Sequence, residues 1–234
     1  MIIYMSDNNT SSESNEQVVP QLLPIEKNNE VRKNTILTNI VKMLTERNLL
    51  DQNRQQEHIN KILAIQSDDQ LYRIDLDFPQ IYGKNNGTMI IKIINQRITS
   101  ISKSSGINDF LITYKMLPKI IVVNSINPKA RYQVQSDPVS YPNTEFFLEK
   151  ELLINIIDHV SQPKFILLDD AETKEVLEKY HSKRRDMQKM LFTDPIACYY
   201  NAKPGQMFRV IRPSETSGQA VAYRLVIKGQ IKDS

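Results

Sequence analysis

The sequence predicts an α+β protein in which helices and strands are mixed along the chain, and three observations carry that expectation. Apolar residues recur every three to four positions between Val31 and Leu63, Leu71–Phe78 alternates apolar and polar positions, and the C-terminal third ends in two β-branched runs around a polar loop. The first pattern belongs to helices that bury one face, the second to a strand with one wet face, and the third to a β-hairpin.

Residues 1–30 are rich in Ser, Asn and Glu and contain two prolines, so they read as a polar tail too poor in apolar side chains to fold. Leu37, Ile40, Val41 and Leu44, then Ile59, Ile62 and Leu63, place two amphipathic helices joined around Asn48–Asp51. The Leu71–Phe78 strand stops at Pro79. In GTMIIKIINQRITSI, Ile90, Ile91, Ile94, Ile98 and Ile101 fit a helical stripe, with Gly106 just past its end. DFLITY and KIIVVNS are short apolar runs of the kind buried in a sheet, 127–143 reads as loop because of its three prolines, and ELLINII reads as a strand. A boundary falls at His159–Pro163. Beyond it, Asp169 followed by Glu172 has the spacing of a capping box, and Asp194-Pro195 marks a second helix start. These short helices lead into a small antiparallel sheet whose last hairpin is FRVIRPSETSGQAVAYRLVI.

Bulk composition narrows the function classes. The 234 residues suit two domains, and 30 basic against 27 acidic residues permit nucleic-acid contact without arguing for it. One cysteine, Cys198, excludes an internal disulfide or a Cys-cluster zinc site, and His58, His159 and His181 lack metal-ligand spacing. No apolar run approaches membrane-spanning length and the apolar patch MIIYM has no basic flank, so a soluble intracellular protein is expected, with no membrane partner.

Each candidate chemistry lacks a necessary part. Asp75 and Asp77, two apart on one strand, have the spacing of a magnesium pair in a nuclease, but neither following apolar run offers the acid-x-Lys pair that would complete such a site. Ser214 or Thr216 as nucleophile needs a base, and the nearest histidine in sequence, His181, lies in another element. Six glycines form no phosphate-binding loop. HSKRR, residues 181–185, is the densest basic cluster, and Cys198 reads as a small buried apolar residue. No cofactor and no metal site is expected. The loop Pro213–Gly218 is more elaborate than a turn requires, since Gly218 alone could supply the unusual backbone angles.

DPIACYYNAKPGQMFRVIRPSETSGQAVAYRLV, residues 194–226, resembles the signature of the fifth subunit shared by eukaryotic nuclear RNA polymerases, whose C-terminal part corresponds to a shorter archaeal RNA polymerase subunit. Asp194, Pro195, Ala197, Tyr199, Gly205, Ile211, Arg212, Ser214, Glu215, Thr216, Gly218, Tyr223 and Arg224 stand where that pattern has them. The resemblance continues through EFFLEKELLINIIDH and, by order of elements, over 31–143.

The resemblance implies an N-terminal jaw domain, 31–158, with a nuclease-like α/β fold but no nuclease chemistry, and a C-terminal α+β assembly domain, 159–234, after the 1–30 tail. It implies a non-catalytic subunit of a DNA-directed RNA polymerase, docking on the largest subunit and helping to wall the channel for downstream duplex DNA. Other polymerase subunits are implied partners and a homo-oligomer is not. Implied interface residues are Asp194, Pro195, Tyr199, Arg212, Pro213, Ser214, Glu215, Thr216, Gly218, Tyr223 and Arg224. Location would be the nucleus for a cellular protein, or the host cytoplasm, virus factory or virion for a viral one. A magnesium nuclease using Asp75 and Asp77, or a free-standing DNA-binding regulator, are the alternatives.

Overall fold

A computed structural model of the chain describes residues 28–65, 67, 69–79, 87–99, 106–137, 139–216 and 218–229. The 1–30 tail falls almost wholly outside them. Helix α1 (Asn29–Glu46) begins just before Val31 and buries Ile36, Leu37, Ile40, Val41 and Leu44, the stripe its spacing predicts. It ends in a turn where Asn48 takes a left-handed φ of 56°, and Asp51 then accepts a hydrogen bond from Asn53 N to open the turn before α2 (Gln55–Ala64).

Four strands form the first sheet in the order β1 (Leu71–Asp75), β2 (Thr88–Ile98), β3 (Lys119–Ile126), β4 (Thr144–Leu148), with β1 antiparallel to β2 and the other pairs parallel. Helices cover both faces. Ile91, Ile93, Ile120, Val122 and Phe147 share a core with α1 and α2, whereas Ile98, Ile121, Val123 and Phe146 pack against α3 (Gly106–Thr113) and α4 (Pro128–Ser136).

Four expectations for this half are corrected. The isoleucine run 88–98 is strand β2, not a helix, because a sheet covered on both faces buries successive β-branched side chains; Ile101 lies outside the described residues, and Gly106 opens α3 instead of following a helix. DFLITY lies in α3 and the turn after it, with Leu111 buried and Ile112 64% exposed, the one-sided burial of a helix. The 127–143 segment contains α4, since Asn127 accepts from Lys129 N at its start and Pro128 sits in the first turn, where its missing N–H costs nothing. ELLINII is a helical turn, α5 (Glu149–Leu152), followed by a 3-10 turn at Ile156–Asp158, because the Glu151 carboxylate turns back to accept from Leu148 N at 2.9 Å. The strand is β4, just upstream.

The second sheet has the order β5 (Lys164–Leu168), β7 (Met207–Ser214), β8 (Gly218–Ile227), β6 (Gln188–Leu191). It is antiparallel except at its β6 edge, which runs parallel to β8 and departs from the expected all-antiparallel sheet. Helix α6 (Asp170–Lys179) carries the predicted capping box: Glu172 N donates to Asp169 Oδ1 at 2.7 Å and Asp169 N to Glu172 Oε2 at 3.1 Å. Helix α7 (Pro195–Tyr199) opens with Asp194 Oδ1 accepting from Ile196 N at 2.9 Å.

Lys119, at the start of β3, is 1% exposed and its ammonium donates to the carbonyls of Leu117, Tyr114, Pro142 and Lys115 at 2.9 to 3.3 Å. It ties the turn after α3 to the loop entering β4. Lys119→Met is expected to cost about 2 kcal/mol at pH 7, because those part-buried carbonyls lose their shared donor. Burial pushes the Lys119 pKa down to about 8, against about 10.4 in the unfolded chain. Between those values the unfolded chain binds more protons, so the stability gap between wild type and Lys119→Met should widen as pH rises from about 8 to about 10. Urea unfolding across that range reads the gap, and narrowing would refute the assignment.

Candidate protein–protein interface at the C-terminal hairpin

The β7–β8 hairpin pairs Ser214 with Gly218 at its tip, and Gly218 has φ 68°, a conformation that strains any side chain. Ser214 Oγ and Thr216 Oγ1 lie 3.3 Å apart across the turn; Ser217 is outside the described residues. Arg212, Pro213, Glu215, Thr216 and Arg224 are exposed and Tyr223 is half-buried. Among the described residues, the side chains of Arg212, Glu215 and Arg224 make no hydrogen bond or ion pair. Residues directly paired across antiparallel strands share a face, so the pairings Arg212–Ala220, Val210–Ala222 and Phe208–Arg224 put both arginines on the face that carries Phe208 and Val210. The tip thus offers one guanidinium, that of Arg212, a carboxylate and two hydroxyls to an external surface, while Arg224 lies on the same face at the other end of the hairpin.

Tyr223 faces the other way, 5.6 Å from the Tyr180 ring and 6.0 Å from the Arg209 guanidinium. Asp194 and Pro195 begin α7, with Pro195 exposed and Asp194 occupied as the cap. Tyr199 is 6% exposed, inside the core shared with α1, so its surface is spent within the chain. The structure therefore gathers Arg212, Pro213, Ser214, Glu215, Thr216 and Gly218 at the hairpin tip, sets Arg224 at the other end of the hairpin opposite Phe208, and separates Tyr199 from the tip. Gly205 supports the hairpin from below: φ 96° lets its N–H reach Val226 O at 2.8 Å.

The other candidates have structural employment. Burial pushes the Asp77 carboxyl up, but Asp77 accepts from Asp51 N at 2.9 Å, His58 Nε2 at 2.8 Å and Arg54 Nη1 at 2.7 Å, and together these donors hold it below the usual range. Asp75 accepts instead from Thr88 on the neighbouring strand. The two carboxylates serve different partners, and among the described residues no three His, Cys, Asp or Glu are grouped as a metal site. In the 181–185 cluster, Arg184 Nη1 donates to Gly205 O at 3.0 Å, clasping the turn before β7. Cys198 is half-buried, its thiol 3.5 Å from Phe192 O. No described helix is long and apolar enough to cross a membrane.

Sequence reasoning missed Arg47. It is 8% exposed, forks onto Glu145 at 2.8 and 3.0 Å, and donates to the carbonyls of Tyr199 at 2.6 Å and Cys198 at 3.0 Å. Those carbonyls end α7, so one guanidinium joins the end of α1, strand β4 and the C-terminus of α7. Asn201 adds a bond to Glu145 at 3.1 Å.

Residues 154–226 match the family described as RNA polymerase Rpb5, C-terminal domain. Over 212 residues the chain is 32% identical to the DNA-directed RNA polymerase subunit 5 of Acanthamoeba polyphaga mimivirus, covering 88% of this chain and 97% of that one. It is 30% identical over 166 residues to the RPABC1 subunit of DNA-directed RNA polymerases I, II and III of Caenorhabditis briggsae, covering 71% and 72%. The Dictyostelium discoideum counterpart is 37% identical over 109 residues, covering 46% and 55%. The chain belongs to the fifth-subunit, or Rpb5, family of DNA-directed RNA polymerases.

Proposed function

We propose that the chain works in transcription as a non-catalytic subunit of a multisubunit DNA-directed RNA polymerase. Residues 159–234 dock on the largest subunit through the hairpin tip, and residues 31–158 form a jaw beside the channel that receives downstream duplex DNA. The work is done in the nucleus if the protein is cellular and in the virus factory if it is viral. The observation that carries the docking assignment is the hairpin tip, where Arg212 and Glu215 stand exposed without partners among the described residues while the turn between them and Gly218 is held by backbone geometry. The polymerase context rests on the relatives, and the structural roles of Asp77 and Asp75 support a jaw without hydrolytic chemistry.

The test separates docking from folding. Arg212→Ala and Glu215→Ala should each weaken binding to the largest subunit by roughly 1 to 3 kcal/mol, the range seen when a buried polar partner is left unpaired. Thermal melting of the free chain should hardly move, since exposed positions change stability by less than about half a kcal/mol. Calorimetry beside melting reads both. Unchanged affinity with a lowered melting point makes the loop a structural turn and defeats the assignment.

A further inference from the structure

The strands of the second sheet carry Lys164, Lys189, Arg209, Arg212 and Arg224 and no aspartate or glutamate, so the sheet supplies no counterion of its own. Strand pairing sorts these cations between the two faces. Lys164–Ile211, Arg209–Tyr223, Ile211–Val221 and Lys189–Leu225 are direct pairs, which puts Lys164, Lys189 and Arg209 on the α6 face and leaves Arg212 and Arg224 on the other.

Helix α6 covers only part of its face. Leu168, Val176 and Met207 form a small core there, with Ile166, Leu177 and Tyr223 packed against it. Nearer the hairpin tip, Ile211 is half-buried and its partner Val221 is 50% exposed. The open side of an antiparallel sheet normally turns polar side chains to water, so an open β-branched pair beside unpaired cations marks a contact face. The next pair, Pro213 and Gln219, is exposed and leads directly into the tip.

Arg209 is the centre of this face. Its Nε is buried without a hydrogen-bond partner, and its Nη groups, which are not enclosed, make no hydrogen bond or ion pair among the described residues. The guanidinium lies 6.0 Å from the Tyr223 ring, which in turn meets Tyr180, 51% exposed. None of the acids of α6 pairs with it. Glu172 serves the helix's own cap, Asp170 lies 3.9 Å from Arg184, Glu178 lies 3.8 Å from Lys174, and Glu175 is exposed. Arginine and tyrosine are the types that most often carry binding energy at protein interfaces, and a guanidinium oriented by an aromatic ring but lacking a counterion suits a carboxylate.

We infer that this open face belongs to the docking surface: a segment of the largest subunit sets a carboxylate on the Arg209 Nη groups and an apolar side chain on Ile211 and Val221. The inference rests on the docking assignment above and adds to it the α6-side face of the hairpin and the acidic character of what that face meets. Lys164, exposed on the neighbouring strand, favours the same partner charge, and a basic segment is repelled. Because Pro213 and Gln219 join this face to the tip, one partner can hold both.

Arg209→Gln removes the charge, and Val221→Glu supplies a carboxylate from the chain itself, within diagonal reach of Arg209. Each should weaken calorimetric binding to the largest subunit about tenfold at low salt, and the loss in Arg209→Gln should shrink as salt is raised. Arg209→Lys should recover part of the affinity, and melting of the free chain should hardly move, since no internal bond of Arg209 is lost. In the assembled polymerase, a photo-activated benzophenone side chain at position 221 should cross-link to a stretch of the largest subunit containing Asp or Glu. Wild-type affinity in both variants overturns the inference, and the docking assignment survives that result if Arg212→Ala and Glu215→Ala still weaken binding. The reverse pattern, with those two silent and the Arg209 and Val221 variants weakened, sustains the inference and removes the tip as the contact. A cross-link to another subunit, to a second copy of the chain or to a segment without acids also overturns it. So does a labelled oligonucleotide that the free chain binds and Arg209→Gln does not, which makes nucleic acid the occupant.

Discussion

Replacing Arg47 by leucine is expected to lower the unfolding free energy by about 3 to 5 kcal/mol, the cost of removing one partner from a buried, hydrogen-bonded ion pair. Arg47 and Glu145 have side chains only 4% and 12% exposed, and the guanidinium also serves two carbonyls at the end of α7. The variant leaves a buried carboxylate without its bidentate donor and those carbonyls without a cation, while leucine fills much of the volume. Glu145→Leu in the same chain should restore part of the loss, since an apolar pair avoids the unpaired charge. Urea unfolding with an unchanged m-value measures it. A loss below about 1 kcal/mol would mean that the two halves hold together without this contact.

The same residue explains what the sequence could and could not reveal. Capping boxes, a proline after an acid and a polar hairpin loop are written in neighbours three or four positions apart, so α6, α7 and the β7–β8 turn are legible at once. The spacing of Ile90, Ile91, Ile94 and Ile98 satisfies a helix and a doubly covered strand equally, and only the neighbouring strands, brought in by long-range pairing, decide between them. Asn127-Pro128 reads as a break although it is also a helix start, and its neighbours in the chain do not say which. Arg47 and Lys119 give no signal, because their partners lie up to 152 residues away or are backbone carbonyls that every sequence has. The hairpin tip is legible as a candidate because its chemistry exceeds what a turn needs. The burial of Tyr199 is not, since a motif match gives a residue its place in a pattern and leaves its facing undetermined.

Tyr199 supplies the second large effect, and its two substitutions should move in opposite directions. The ring lies in the core with α1 and α2, 5.3 Å from the Tyr200 ring in an edge-on arrangement, so Tyr199→Ala should cost about 3 to 5 kcal/mol through lost burial and the cavity left behind. Its hydroxyl is buried without a hydrogen-bond partner among the described residues, whereas the Tyr200 hydroxyl donates to Phe165 O at 3.3 Å. Burial, with Glu46 adding to it, pushes the Tyr199 phenol above its ordinary pKa, so it stays neutral through the physiological range. Removing an unpaired buried hydroxyl while keeping the ring relieves a desolvation cost, and Tyr199→Phe should therefore leave stability unchanged or raise it by up to about 1 kcal/mol. Affinity for the largest subunit should be the same in Tyr199→Phe as in the wild type, because the side chain faces the chain's own interior. Calorimetric binding and urea unfolding of both variants decide the matter. If Tyr199→Phe keeps its stability but binds the largest subunit more than about tenfold more weakly, a loss of about 1.4 kcal/mol, the hydroxyl is reserved for the partner and Tyr199 returns to the interface.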